Sequence, residues 1–365
     1  MTRTIKYQDM MDIVVGATYL GAGGGGSPED AIKLVKELES LKKTELTMID
    51  PKEMKEDEWA VLVAEVGSPK AIRQCQNFPE TVTAFNTMQS LTGLAGLNLK
   101  YIMPVEIGSF NTIVPIYVAA LKGVPLVDAD GCGRSVPEFA TTLYAVYDVP
   151  NRHMTMGGPN GDSFIINLAN PLSHADTENI ARHLCMAYGM RAGVCCYPVN
   201  KEMIQAKMVN QSVSLSIAVG QAFRESKSVK DLSKALASLL KAKELFIGQI
   251  ADIEVKMVGG FDIGLTTIKG EEAYSGQTMT IGVKNENMLV RDSAGKVVLT
   301  VPDLISLVEV TGLKPLTNAD TQVGQKVAVY GTPAPEIWLK NPKGYDCWRH
   351  ILEKFDYSGG YVPVK

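Results

Sequence analysis

The chain has 365 residues, of which 45% are hydrophobic and 21% are charged, and its formal net charge is −4. This length favours two domains, and the composition is that of an ordinary globular protein. The acidic balance, with no basic stripe interleaved with aromatic residues, argues against nucleic-acid binding. No apolar run reaches the roughly 18 residues of a membrane helix, and the polar N-terminus lacks a signal-peptide core. We therefore expect a cytoplasmic protein whose six cysteines are reduced.

A run of glycines follows the first apolar segment. Residues 7–20 suit either a helix or the beginning of a strand, and the sequence GAGGGG occupies residues 21–26. Ser27 and Pro28 are typical of an N-cap and a first helical turn, so a helix over about 28–42 is predicted. The positive end of that helix faces the glycine run and suits an anion or a carbonyl-like group. We therefore predict that a substrate contacts Gly23, Gly24, Gly25 and Gly26.

The glycine spacing also permits a second interpretation. Gly21, Gly23 and Gly26 match the GxGxxG dinucleotide fingerprint, and Asp50 follows a strand-like ELTMI segment. A nucleotide-dependent oxidoreductase built on this loop needs a strand that feeds the glycines. A strand over residues 10–20 would favour that function, and a helix there would count against it.

The stretch from residue 101 to 139 concentrates polar groups at predicted strand ends. Its apolar runs Ile102–Ile107 and Pro125–Val127 flank the helical segment Thr112–Leu121, a layout that predicts a parallel βαβ unit. In open α/β sheets, ligands collect outside the carboxyl ends of such strands. The side chains expected there are Glu106, Asn111, Asp128, Asp130, Arg134 and Glu138.

The flanking segments predict the rest of a first domain. A helix is expected over Thr81–Leu94, and strands are expected at Trp59–Val66, Thr141–Val149, His153–Met156 and Ser163–Leu168. This alternation is typical of an α/β domain with a mostly parallel or mixed sheet. We assign that domain to residues 1–172.

The pattern changes after residue 172. A helix is predicted from Ser173 to about Tyr188, then a strand over Gly193–Val199 and a helical segment over 201–242. Short strands follow, with turn residues every 8–12 positions, which predicts a β-rich α+β domain over 173–365.

Seven motifs occur in one order along the chain: LGAGGGGSP, PVEIGSFNTIVP, VDADGCGRSVPEF, GGFDIG, NEN, VPDLI and FDYSGGYVPV. Together they resemble the family named for S-methyl thiohydantoin desulfurase, and the likeness covers roughly residues 10–365. Members of that family also occur beside, or fused to, hydantoinase/oxoprolinase-type proteins. In this chain, Cys132 and Ser109 stand where that family more often has methionine and glycine.

The resemblance implies hydrolysis of a hydantoin- or thiohydantoin-like ring, in which water adds to the carbon bearing sulfur and a sulfide or thiol leaves. Such a reaction needs an activated water, hydrogen-bond donors and a proton source. Asp128 and Asp130 form a candidate acid/base pair, and Glu106 is a further base or a metal ligand. Arg134 and Asn111 are candidates to hold the ring. With Glu138 and the glycine run, these groups are expected to line one pocket.

Other roles remain open for the same residues. Aspartates beside glycine also cap helices or fix turns, and Arg134 with Glu138 can form a one-turn ion pair. Cys132 is either a thiolate nucleophile or, as we favour, a packing residue. A divalent ion such as zinc can be bound by Glu106, Asp130 and a histidine together, although no HxH or HxxxH spacing supports such a site. The remaining alternative function is a non-catalytic partner subunit of a hydantoinase/oxoprolinase-type enzyme. A second copy of the chain, in a homo-oligomer, is the other partner considered.

Overall fold

The structure is a computed structural model that describes residues 2–75, 77–258 and 260–365. Gly259 of the GGFDIG motif lies outside the described residues. Up to residue 172 the elements are β1 (Arg3–Ile5), α1 (Tyr7–Leu20), α2 (Pro28–Ser40), β2 (Leu46–Ile49), β3 (Glu58–Gly67), α3 (Pro69–Arg73), α4 (Pro79–Leu94), β4 (Asn98–Met103), α5 (Ser109–Lys122), β5 (Leu126–Val127), β6 (Ala129–Asp130), α6 (Leu143–Val146), β7 (His153–Gly157) and β8 (Ser163–Asn167).

The remaining elements begin with helices and continue mostly as strands. They are α7 (His174–Ala187), β9 (Arg191–Asn200), α8 (Lys201–Lys207), β10 (Val209–Asn210), α9 (Ser212–Glu225), α10 (Val229–Leu240), β11 (Lys243–Val258), β12 (Phe261–Gly270), β13 (Thr278–Lys284), β14 (Glu286–Arg291), β15 (Val297–Thr300), β16 (Leu304–Glu309), β17 (Lys314–Leu316), β18 (Lys326–Thr332), α11 (Lys343–Asp346) and α12 (Arg349–Leu352). Within the described ranges, no helix is long and apolar enough to span a membrane.

The first sheet is mixed, with strand order β1-β2-β5-β4-β3-β9-β7-β8. Its centre is parallel, and the pairing of Ile102 with Leu126 joins β4 to β5 on either side of α5. The predicted βαβ unit is therefore confirmed. Strand β4 ends at Met103, so Glu106 lies just beyond the carboxyl end of the strand. Antiparallel pairing of β9 with β3 extends the sheet beyond its parallel centre.

The second sheet is antiparallel throughout, with strand order β15-β14-β13-β12-β11-β18-β16-β17. A short turn connects β13 to β14, as the punctuation of the sequence predicted. The fold is thus an α/β part with a mixed sheet and a largely antiparallel β part with helices, which confirms the predicted fold class.

Two local predictions need correction. Residues 7–20 form helix α1, so the glycine run follows a helix and lacks the strand that a dinucleotide fold requires. The strand predicted over Thr141–Val149 is wrong, because the Thr142 side chain accepts the Ala145 N–H and starts the short helix α6. An apolar run of this length fits either element, and the cap decides for the helix.

Helices α1 and α9 cross at two glycines. A Cβ on Gly16 would lie 1.9 Å from the Ser216 carbonyl oxygen, and one on Gly220 would lie 1.9 Å from that of Asp12. The Arg224 guanidinium, which is more exposed, pairs with Asp12 at 3.0 Å. Glycine at both positions is therefore what brings the two helix backbones together.

We predict that Gly16→Ala lowers the free energy of unfolding by about 1–3 kcal/mol, because the added methyl group meets backbone atoms that cannot turn aside. Gly93→Ala is the matched control, since Gly93 is also helical and a Cβ added there would meet nothing within 4 Å. That control should raise stability by up to about 1 kcal/mol through helix propensity. Denaturant titration measures both values, and equal effects at the two sites would contradict the close crossing.

Candidate functional site

A cavity of about 180 Å³ lies beyond the carboxyl ends of β3 and β4. Its polar lining consists of four glutamates, one arginine, one asparagine and one threonine, and mostly small or branched apolar side chains form its walls. The lining residues are Ala64, Glu65, Val66, Gly67, Val105, Glu106, Asn111, Val136, Pro137, Glu138, Phe139, Thr142, Glu178, Ala181, Arg182 and Val194. The position is the one that a ligand site takes in an open α/β sheet.

Glu106 is the best-positioned base in this cavity. Its Oε1 accepts hydrogen bonds from Asn111 Nδ2 at 2.5 Å and from Ser135 Oγ at 3.0 Å, and its Oε2 accepts one from the Val136 N–H at 2.7 Å. Burial raises the pKa of Glu106 to about 7, against the lowering effect of these three donors. A carboxylate with such a pKa suits general-base catalysis near neutral pH.

Glu65 is a second carboxyl group in the cavity, and it was not predicted from the sequence. Burial raises the pKa of Glu65 well above its usual value, and the charge of Glu80 raises it further. Neither side-chain oxygen makes a hydrogen bond of normal geometry. Burial therefore favours the neutral carboxylic acid form of this group. One signal could have revealed it, because a glutamate near the end of an apolar strand and just before a glycine turn repeats the pattern at Glu106.

Asp128 and Asp130 lie behind the cavity and do not line it. Asp130 is fully buried, and its Oδ2 accepts the N–H groups of Cys132 at 2.8 Å and Gly133 at 2.7 Å. Burial raises the pKa of Asp130 to about 7. Asp128 accepts the Ser214 N–H and hydroxyl in the first turn of α9. In this structure Asp130 fixes a tight turn and Asp128 caps a helix.

Arg134 and Glu138 do not pair with each other. The buried Arg134 guanidinium donates to carbonyl oxygens, three of them at 2.9 Å and one at 3.4 Å, which belong to Ser135, Pro302, Asp303 and Asn287. It lies outside the cavity and ties the loop to the second sheet. Glu138 does line the cavity, and its carboxylate pairs with Lys284 and with His350.

The glycine run makes structural contacts outside the cavity. The Gly25 carbonyl accepts the N–H groups of Phe110 and Asn111 at the start of α5, and the Gly23 carbonyl accepts the Asn318 N–H. Gly25 has a φ of +81°, and a Cβ there would lie 2.3 Å from the Gly108 Cα. Within the chain, this run contacts the start of α5 and the second sheet, and the predicted substrate contact of residues 23–26 stays a prediction.

The remaining candidates take no part in the cavity. Burial raises the pKa of the Cys132 thiol well above its usual value, so a thiolate there is disfavoured. Among the described residues, no three His, Cys, Asp or Glu side chains are placed to hold a metal ion. The set of Glu106, Asp130 and a histidine is not among the groups placed to hold a metal ion in this described part of the chain. One ring nitrogen of each histidine instead hydrogen-bonds to Asn167, Tyr197, Asn179 or Glu138.

Stability should fall as pH rises from about 5 to about 8.5, because the folded chain holds protons that the unfolded chain has lost. The folded pKa of Asp130 is raised, so its contribution is fully present below the unfolded value and is lost as pH passes about 7. Asp130→Asn should remove on the order of 2 kcal/mol of that loss. Urea titrations at the two pH values measure it, with the exposed Asp252→Asn as control. A pH dependence shared by both variants would contradict the assignment.

Comparisons with known proteins identify the family of the chain. The N-terminal domain of the S-Me-THD-like family matches residues 8–168, and its C-terminal domain matches residues 173–364. A crystal structure of a Chromobacterium violaceum protein, a structural genomics target, superposes with a TM-score of 0.87 at 25% identity, covering 100% of both chains. No curated protein matches the chain. Because the two domain matches together span nearly all of it, the chain belongs to the S-Me-THD-like family, as the ordered motifs predicted.

Proposed function

We propose that this protein is a hydrolase of small hydantoin- or thiohydantoin-like rings, with Glu106 as the general base. The observation that carries the proposal is one small cavity lined by two carboxyl groups, Glu106, whose pKa burial raises to about 7, and Glu65, whose pKa burial raises well above its usual value. Two carboxyl groups whose pKa values are driven apart by their surroundings are the usual basis for assigning a base and an acid. Membership of the S-Me-THD-like family supports the substrate class.

In the proposed reaction, Glu106 takes a proton from a water molecule as the water oxygen bonds to the ring carbon that carries sulfur. Glu65 then gives its proton to the sulfur as the carbon–sulfur bond breaks, so a neutral thiol leaves from an S-alkyl substrate. With a C=S substrate, the proton of the newly added hydroxyl group also passes to the sulfur, so the ring carbonyl forms as hydrogen sulfide leaves. Asn111 holds Glu106 through one amide hydrogen, and its second amide hydrogen is available to a ring carbonyl. The proton on Glu106 restores Glu65 through solvent after the product departs.

The size and lining of the cavity support a small ring. At about 180 Å³ it is smaller than the roughly 300–1,000 Å³ of pockets that hold drug-sized ligands. A dinucleotide is larger than such ligands, so the cavity disfavours the oxidoreductase alternative along with the helix that precedes the glycine run. Apolar walls from Val66, Val105 and Val194 suit the flat faces of an uncharged heterocycle.

The non-catalytic alternative expects the 128–138 loop to face solvent without a cavity. Residues 126–137 are buried instead, and residues 136–138 line the cavity. Buried carboxyl groups that lack full hydrogen bonding cost stability, so their presence in a cavity favours a chemical role.

We expect Glu106→Gln to lower kcat by about 10²-fold or more, the usual scale for loss of a general base. The assay is turnover of a panel of hydantoins, thiohydantoins and S-methyl thiohydantoins, with and without chelator. Wild-type activity should fall below about pH 7, because protonation of Glu106 removes the base. Asp130→Asn is the matched control and should stay within about tenfold. An active Glu106→Gln together with a dead Asp130→Asn would reverse the assignment.

The effect of Glu65→Gln on the reaction rate should depend on the leaving group. Loss of a general acid matters most when the departing sulfur is basic, so the variant should be slow with S-methyl substrates and much less affected with an S-(4-nitrophenyl) analogue. Single-turnover rates with both substrates give the comparison. Equal losses for the two leaving groups would assign Glu65 to structure.

A further inference from the structure

We propose that Glu286, a residue of the second sheet, sets the ionisation of Glu106 through the hydroxyl group of Ser135. Ser135 Oγ lies 3.0 Å from Glu106 Oε1 and 3.1 Å from Glu286 Oε1, and all three residues are buried. The three groups form a carboxyl–hydroxyl–carboxyl relay across the junction of the two sheets. Its use in catalysis rests on the proposed function, whereas its existence does not.

The count of protons gives the relay a direction. A serine hydroxyl carries one hydrogen, so it can donate to only one of the two carboxyl oxygens, and the other oxygen must itself carry a proton. Glu106 already accepts from Asn111 and from the Val136 N–H, which identifies it as the ionised partner. Glu286 Oε2 is buried without a hydrogen-bond partner, as expected of a neutral acid. The order is therefore Glu286 to Ser135 to Glu106.

The surrounding charges agree with this order. Burial raises the pKa of Glu286 to about 8, and the charge of Glu106 adds to that effect, while Arg134 opposes it. Other ionisable groups that face the pair are Asp130 and Cys132, beside Glu106, and Lys284, beside Glu286. Arg134 directs its hydrogen bonds to carbonyl oxygens, so it supplies charge to the pair through space.

The relay also explains one glycine of the conspicuous run. A Cβ on Gly24 would lie 2.0 Å from Glu286 Oε1 and 2.6 Å from its Cδ. Gly24 does not have a positive φ, so its backbone would accept alanine, and the side chain of Glu286 is what requires glycine. Gly24 of the glycine run therefore leaves the space in which Glu286 of the second sheet approaches Ser135 and Glu106.

The test uses the full-length protein with carbon-13-labelled glutamate and needs no substrate. Infrared spectra at about pH 7 should show a protonated carboxyl band that Glu286→Gln reduces, above a background from Glu65 and from the protonated fraction of Glu106. Titration followed by NMR should show two coupled steps in the wild type. Glu286→Gln should lose the higher step, and Glu106→Gln should lower the pKa of Glu286 by removing a like charge.

Kinetics give the catalytic half of the test. Ser135→Ala should shift the acidic limb of the kcat profile upward by about one pH unit, since ionised Glu106 loses a donor, and Ser135→Thr should restore it. The exposed Glu254→Gln controls for loss of one glutamate.

Should Glu286→Gln fail to fold, Glu106→Gln supplies the reciprocal titration. A wild-type protein with no coupled glutamate titration, or an unchanged carboxyl band in Glu286→Gln, overturns the relay even if the hydrolase activity is present. Absence of turnover with intact coupling overturns the proposed function alone.

Discussion

At the junction of the two sheets, ionisable side chains are buried away from water, and much of the surrounding structure stabilises them in that position. Four of these buried side chains lie in one region of the fold, namely Glu106, Asp130, Arg134 and Glu286. An ionised carboxylate or guanidinium in such a place is unstable unless hydrogen bonds or opposite charges compensate it. Arg134 is met by carbonyl oxygens, Asp130 by backbone N–H groups, and the two glutamates by a shared serine and by protonation.

Segments from distant parts of the sequence are needed to satisfy these groups. The end of the chain is an example, because the Asp303 carboxylate accepts hydrogen bonds from the Ala334 N–H, the Tyr361 hydroxyl and the Val364 N–H. Asp303 also offers its carbonyl oxygen to Arg134. The VPDLI and YVPV segments are thereby linked to the VDADGCGR loop through one aspartate.

Local rules predicted the parts of the fold that local chemistry determines. The Ser27 hydroxyl accepts the Asp30 N–H and begins α2 as expected, and Cys195 and Cys196 pack into different hydrophobic clusters on opposite faces of β9. The period of residues 7–20 was ambiguous because α1 is buried on most sides. Its packing against α9, far along the chain, could not be read from the segment itself.

The structure brings together only some of the side chains that the sequence offered as site candidates. Glu106, Asn111 and Glu138 line the cavity beyond the expected strand ends. Helix capping was an alternative that the sequence allowed for Asp128, but the partners of Asp128 and Arg134 could not be foreseen, because they lie on α9 and on the second sheet. Sequence spacing shows which side chains lie at the same strand end. Long-range hydrogen bonds decide which of those side chains remain free to contact a ligand.

The position of β9 has a consequence for how this protein can be divided. Although it follows residue 172, this strand lies between β3 and β7 in the first sheet. A fragment that stopped near that residue would leave both neighbours with unpaired backbone groups along an open edge. Such edges recruit other strands, and self-association is the usual result. The N-terminal half therefore depends on chain beyond its sequence-defined limit, and the two halves are better handled as one folding unit.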